Sequence, residues 1–253
     1  WEVSPRYGCG GDGVNGSPTV IRMPGSTLSP RQLNRTVLAR QLLLARVDLD
    51  IPHALQQVGG LQTQYAPSGY VGLWSRLEKF ERDSLTRALQ DRTVTQATLM
   101  RSTIHMVAAT DYWPMCAGIR VARREWWLRS TGTRRLPDEL HDALMLSLRR
   151  ALEGGPRPRA EVVAAIGADG FDASRWEYAS AWQEMVRVPP SGTWERRRAD
   201  RYGLAEQWIP VTECDEADGL RLLLTRYLQA FGPAALADAA TWMGVPRARL
   251  VPI

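Results

Sequence analysis

Apolar residues recur at helical spacing through Leu33, Val37, Leu38, Leu42 and Ala45, with Arg31, Arg35, Arg40 and Arg46 around the outside. Ser29-Pro30-Arg31-Gln32 supplies a capping serine, a proline at the first helical position and a glutamine three residues after the cap, so a first helix starts there. A shorter helix is predicted from about residue 52 to 58, capped by Asp50 and ended by Gly59-Gly60. Val71, Leu73, Trp74 and Leu77 predict a third, and residues 84–90 a fourth. The pattern then changes. Residues 94–100 and 103–107 are rich in β-branched side chains around a break at Arg101-Ser102, which reads as a hairpin. Several short helices closed by a two-stranded ribbon is the plan of a winged helix-turn-helix.

The plan recurs. A helix capped by Asp111 is predicted to run to about Arg129, and Leu140, Leu144, Leu148 and Ala151 line another that stops at Gly154-Gly155-Pro156. Short helices follow near residues 159–166 and 174–186. Pro189-Pro190-Ser191-Gly192 breaks the pattern, and Thr193-Trp194-Glu195 leads through Arg196, Arg197, Arg198 and Arg201 to Tyr202-Gly203-Leu204-Ala205, read as a second ribbon with a basic tip. A third unit opens at Leu220-Arg221-Leu222-Leu223-Leu224, continues past Gly232-Pro233 to a short helix near residues 234–243, and lacks a last helix and wing. The fold class expected is mainly α (α+β), in tandem winged helix-turn-helix units with small β-hairpin wings. The divisions are residues 1–27, an aperiodic, disordered or non-native extension; 28–110, a first unit; 111–217, a second with the basic hairpin; and 218–253, an incomplete third, as in a fragment. Trp74, Trp126, Trp176 and Trp182 fall at helical spacing and are expected in the core rather than as base-stacking platforms.

Composition narrows the function classes. The chain has 253 residues, 44% of them hydrophobic, enough for real cores. Its 32 basic against 27 acidic residues give a net charge of +5, and Lys79 is the sole lysine. Arginine's planar fork suits phosphates and base edges, although codon preference explains the same bias equally well. Three scattered cysteines, Cys9, Cys116 and Cys214, draw neither a disulfide framework nor a zinc spacing, which favours a reducing cytoplasm. No apolar run reaches a membrane span. His53 and His141 have no clustered cysteines or carboxylates, so neither a metal nor another cofactor is expected.

The candidate chemistry lies at Leu61-Gln62-Thr63-Gln64-Tyr65, after the glycine pair. On an extended backbone the i, i+2 spacing points Gln62 and Gln64 the same way, offering two amide oxygens and two amide donors to one small site without charge. A pair of solvated turn glutamines is the competing reading. His105 either faces that site from the ribbon or is a satisfied structural histidine, and Arg101 either touches phosphate or closes the turn. Arg196, Arg197, Arg198 and Arg201 are phosphate or groove contacts, or else a solvated basic loop.

Four stretches in order carry a likeness: Gly60-Leu61-Gln62-Thr63-Gln64; Arg101-Ser102-Thr103-Ile104-His105-Met106-Val107; Gly192-Thr193-Trp194 with Tyr202-Gly203-Leu204-Ala205-Glu206-Gln207-Trp208; and Arg226-Tyr227-Leu228-Gln229-Ala230-Phe231-Gly232-Pro233-Ala234. From about residue 28 onward the chain resembles the bacterial winged-helix DNA glycosylases, which excise alkylated purines and in some members unhook interstrand crosslinks. The resemblance implies that Gln62 and Gln64 form the family's catalytic Gln-x-Gln pair, and that Arg101, His105, Arg196, Arg197, Arg198 and Arg201 serve DNA binding. Thr63 departs from the small or apolar residue usual between the two, and the incomplete third unit departs from a full DNA channel. It further implies a monofunctional N-glycosyl hydrolase, monomeric, cytoplasmic and nucleoid-associated, acting on double-stranded DNA with cationic alkylated purines, or an inactive enzyme if the chain is truncated. A non-catalytic winged-helix DNA-binding or regulatory protein is the alternative.

Overall fold

The computed structural model of the protein describes residues 22–23, 26–132 and 135–253. The extension expected over residues 1–27 lies mostly outside the described residues; within it, Arg22–Met23 (β1) and Ser26–Thr27 (β2) pair antiparallel. The first helix, Pro30–Arg40 (α1), begins with the expected capping box: Ser29 Oγ accepts from the Gln32 amide, and Gln32 Oε1 accepts from the Ser29 amide at 2.8 Å. It ends short of Ala45 because Leu42 turns to a φ of 56°. Arg40 and Gln41 then donate to the carbonyls of residues 228–230.

Two successive units share one element order, helix–strand–helix–helix–strand–strand. The first comprises Ile51–Val58 (α2), Leu61–Gln62 (β3), Pro67–Trp74 (α3), Arg82–Gln90 (α4), Val94–Thr98 (β4) and Ile104–Ala108 (β5). Asp50 caps α2 by accepting from the His53 amide at 2.8 Å. The second comprises Asp138–Glu153 (α6), Arg157–Pro158 (β6), Arg159–Ala168 (α7), Arg175–Trp182 (α8), Met185–Arg187 (β7) and Arg201–Leu204 (β8). This is the winged-helix plan twice over, an α+β fold. Residues predicted to end α8 instead form β7, and Thr193–Glu195 lie in the loop after it. Met185, Val186 and Arg187 are taken into the sheet because partners wait on both sides, β4 through Gln96↔Arg187 and Ala97↔Val186, and β8 through Met185↔Leu204. The two wings therefore merge in one six-stranded antiparallel sheet, ordered β3-β5-β4-β7-β8-β6.

Ala109–Thr131 (α5) joins the units, and Glu216–Phe231 (α10) lies along it; Ala205–Trp208 (α9) and Leu236–Met243 (α11) complete the helices. Asp111 does not cap α5 but sits buried in its first turn, where Arg226 of α10 takes it. Helices α5 and α10 approach at Gly118 and Gly219, where a Cβ on Gly118 would stand 2.6 Å from the Gly219 carbonyl carbon. Only glycine permits that approach. Residues from α10 and α11, including Leu220, Leu223, Tyr227, Ala240 and Met243, share a core with Leu99, Met100, Tyr112, Cys116 and Val186. Smaller cores lie inside each winged unit. Trp176 is buried as expected, whereas Trp74 and Trp126 are 55% and 47% exposed. Arg46 stacks over the Trp74 ring, 4.3 Å from its centre, and Trp126 lines an open cleft with Ala237, Ala240 and Thr241 of α11. No helix among the described residues is long and apolar enough to cross a membrane.

Candidate active site

The glycine pair places the glutamine strand. Gly59 ends α2 in the left-handed region, and Gly60 continues at a φ of 81° where a Cβ would lie 2.8 Å from Val107 Cγ1. The chain is thereby laid along the edge of β5, with Leu61 opposite Met106, Gln62 opposite His105, and the Thr63 amide donating to the Ile104 carbonyl at 2.8 Å. Alternation follows: Gln62 and Gln64 are exposed, and Thr63 between them is 1% exposed. The Thr63 hydroxyl finds no hydrogen-bond partner, which costs about 1–3 kcal/mol.

Both amide oxygens are held by protein donors. Arg101 Nη2 donates to Gln62 Oε1 at 3.1 Å, and the Ile104 amide donates to Gln64 Oε1 at 2.5 Å. Each oxygen keeps a second lone pair, and each NH2 group remains a donor. Arg101 is itself fixed by donating through Nη1 to the Trp242 carbonyl of α11 at 2.6 Å. It reaches both from the tight turn between β4 and β5, where Arg101 and Ser102 adopt φ values of 54° and 57°. Side chains pay roughly 1–2 kcal/mol each for that conformation, so the turn is held by its contacts.

His105 is 2% exposed, and its Nδ1 lies 3.1 Å from the Thr103 carbonyl. Burial, assisted by the nearby Arg101 charge and opposed by the Thr103 hydrogen bond, pulls its pKa from 6.5 to about 4. It is neutral and covered at neutral pH and carries no charge for a phosphate. Because the folded pKa is below the unfolded one, the unfolded chain binds more protons between these values. The contribution of His105 to stability is therefore full above about pH 6.5 and falls by about 3 kcal/mol as pH drops towards about 4. Replacing His105 by asparagine is expected to flatten the melting temperature across this window; an unchanged pH profile would assign the acid sensitivity to other groups.

The basic loop between β7 and β8 stands beside the pair. Ser191 Oγ organises it, donating to the Arg198 carbonyl at 2.6 Å and accepting from the Asp200 and Arg201 amides at 2.8 and 3.1 Å. Buried Gln96 of β4 holds it to the sheet by donating to the Gly192 carbonyl at 2.8 Å. Trp194 packs against Tyr70 with ring centroids 5.8 Å apart. At the tip, Arg196, Arg197 and Arg198 are exposed, and Arg197 Nη1 donates to the Tyr65 hydroxyl at 2.9 Å, next to Gln64. Arg201 lies at the base, half-buried in β8. The structure thus gathers Gln62, Gln64, Arg101 and Arg197 in one neighbourhood and leaves His105 beneath it. Gln96, Ser191 and the Trp242 carbonyl are supports that the sequence did not single out; the lone glutamine in the middle of β4, among Val94, Thr95, Ala97 and Thr98, was the one available signal. His53 serves the α2 cap and His141 contacts the Tyr178 hydroxyl at 2.9 Å. No cluster of three or more potential metal ligands occurs among the described residues.

The fold is similar to that of Streptomyces sahachiroi DNA glycosylase AlkZ, with a TM-score of 0.71 at 19% identity. The likeness covers 88% of this chain and 63% of that protein, so the chain spans under two thirds of its length. A comparison with curated proteins finds no match. Residues 55–252 match the family described as DNA glycosylase AlkZ-like, a span holding the glutamine pair, the Arg101 turn and the basic loop. The chain belongs to the AlkZ-like DNA glycosylase family.

Proposed function

We propose that this protein is a monofunctional DNA glycosylase that hydrolyses the N-glycosidic bond of cationic alkylated purines in double-stranded DNA, with Gln62 and Gln64 positioning the attacking water. The observation that carries this reading is the pair of exposed amides at the end of an edge strand and just beyond it, each with its oxygen fixed by a protein donor, beside an arginine-tipped loop. An N7-alkylated purine carries positive charge, so its base departs as a neutral molecule with the glycosidic electron pair. It needs no strong acid. The remaining task is to hold water against the sugar carbon as oxocarbenium character develops, and amide oxygens do this by orientation and electrostatics. Water's oxygen bonds to that carbon and its surplus proton passes to solvent, because an amide is no base. The sole lysine, Lys79, is paired with Asp48 at 2.6 Å on the surface and forms no Schiff base at this site. The glutamines stand on open surface, which admits bulky adducts and supports unhooking of crosslinks.

Arg101, Arg196, Arg197, Arg198 and Arg201 are assigned to the DNA backbone, and His105 to support of the strand beneath Gln62. Replacing Arg196, Arg197 and Arg198 together by alanine is expected to reduce the salt slope of duplex binding by about 0.9 for each phosphate no longer neutralised. A slope equal to that of the parent protein would make the loop a solvated one. The reading itself is tested by release of N7-methylguanine from alkylated duplex DNA, with uracil-containing duplex as the contrast. Release of the cationic base alone is expected. Efficient uracil excision would sink the mechanism, and binding without release would leave a non-catalytic winged-helix DNA-binding protein.

A further inference from the structure

A cavity of about 460 Å3 lies where α5, α8 and the β4–β7 junction meet, away from the glutamine pair. Trp126, Trp127, Trp176 and Tyr202 line it, as does Ser102, the neighbour of Arg101. Two guanidiniums in its lining, Arg123 and Arg187, are only 9% and 8% exposed. Arg187 donates through Nη2 to Thr98 Oγ1 at 3.0 Å and lies 5.1 Å from the centre of the Tyr202 ring. Its Nε has no hydrogen-bond partner, and among the described residues no carboxylate stands within 4.0 Å of it. Arg123 donates through Nη1 to the Thr98 carbonyl at 3.0 Å, while its Nε and Nη2 are without hydrogen-bond partners.

The lining carboxylates do not balance these charges. Glu177 is held by Arg159 at 2.6 Å. Glu184 is taken first by Arg120 at 2.7 Å and then shared with Arg123 at 3.7 Å and Arg124 at 4.0 Å. One carboxylate thus faces three arginines, and Arg187 has none. A buried guanidinium without an anion is unfavourable, and the usual completion is an oxyanion that accepts from several donors at once.

We propose that this cavity is a phosphate-binding site, with Arg123 and Arg187 holding the phosphate and the tryptophans offering a face to an attached nucleoside. A phosphate monoester brings three acceptor oxygens and up to two negative charges, which suits two guanidiniums presented from different elements. The aromatic lining suits a base, since every base has a face to stack. The phosphate comes either from a free nucleotide, as this monoester, or from a nucleic-acid strand, as a diester with two acceptor oxygens and one charge.

The test titrates the whole protein with inorganic phosphate, deoxyguanosine monophosphate and an undamaged duplex, following melting temperature and tryptophan fluorescence. A bound ligand at about 100 times its Kd is expected to raise the melting temperature by about 5 °C or more. Arg187→Met is expected to abolish the shift from phosphate and monophosphate, and Arg187→Lys to retain part of it. Arg123→Gln carries the same comparison should Arg187→Met fail to fold. A shift with the monophosphate identifies a free nucleotide as the source. A response to duplex alone, reduced by Arg187→Met, identifies strand phosphate. If no probe shifts the protein, or if the shifts persist in full in both Arg187→Met and Arg123→Gln, the proposal is overturned.

Discussion

Gln62→Ala and Gln64→Ala are each expected to slow release of N7-methylguanine on the order of tens to a thousandfold, with duplex affinity within a small factor of the parent. The size follows from what each amide does. In the proposed mechanism neither transfers a proton, so each variant would forfeit water placement and electrostatic support of the oxocarbenium ion but no acid–base step. The two sites also differ. Gln64→Ala leaves the Ile104 amide free to bind water in place of Oε1, whereas Gln62→Ala removes the acceptor that holds one arm of Arg101. Gln62→Ala should therefore also change salt dependence, because the freed guanidinium is available to a phosphate. Single-turnover rates combined with affinities across ionic strength separate these effects. Equal rates for parent and both variants would place the chemistry elsewhere.

Much of this site was legible because it is local. The i, i+2 glutamines, the glycine pair before them and the break at Arg101-Ser102 each specify backbone direction within a few residues, and β3 and the β4–β5 hairpin form as those signals require. What was not legible depends on distant partners. Met185 and Val186 continue a helical pattern until β4 and β8 offer edges on either side, and tertiary pairing then overrides propensity. Asp111 resembles an N-cap until an arginine more than a hundred residues later takes its carboxylate. Arg101 is a turn residue in the sequence; that it clamps Gln62 depends on the Trp242 carbonyl of α11, and no spacing rule connects those positions. The basic loop was visible as composition, but its seat beside Tyr65 comes from Gln96 and Trp194.

The chain of contacts from α10 to the glutamines gives the second large expectation. Asp111, 5% exposed at its side chain, accepts from Arg226 Nε at 2.7 Å and Nη2 at 3.0 Å, and from Gln56 Nε2 of α2 at 3.1 Å. One carboxylate thus ties the helix that precedes the glutamine strand to α5 and to α10. Asp111→Ala is expected to cost about 3–5 kcal/mol, because it leaves a partly buried guanidinium without its anion. For a domain of this size that lowers the melting temperature by roughly 2–4 °C per kcal/mol. The double variant Asp111→Leu with Arg226→Met should recover most of the stability, since apolar replacement of both partners removes the unpaired charge along with the bridge. Denaturant unfolding of the single and double variants decides the matter. A double variant as unstable as Asp111→Ala would mean that the carboxylate acts mainly through Gln56 rather than Arg226. Because α10 leads into α11, whose Trp242 carbonyl orients Arg101, Asp111→Ala should also loosen the Arg101–Gln62 contact, so base release should decline at temperatures below the onset of unfolding.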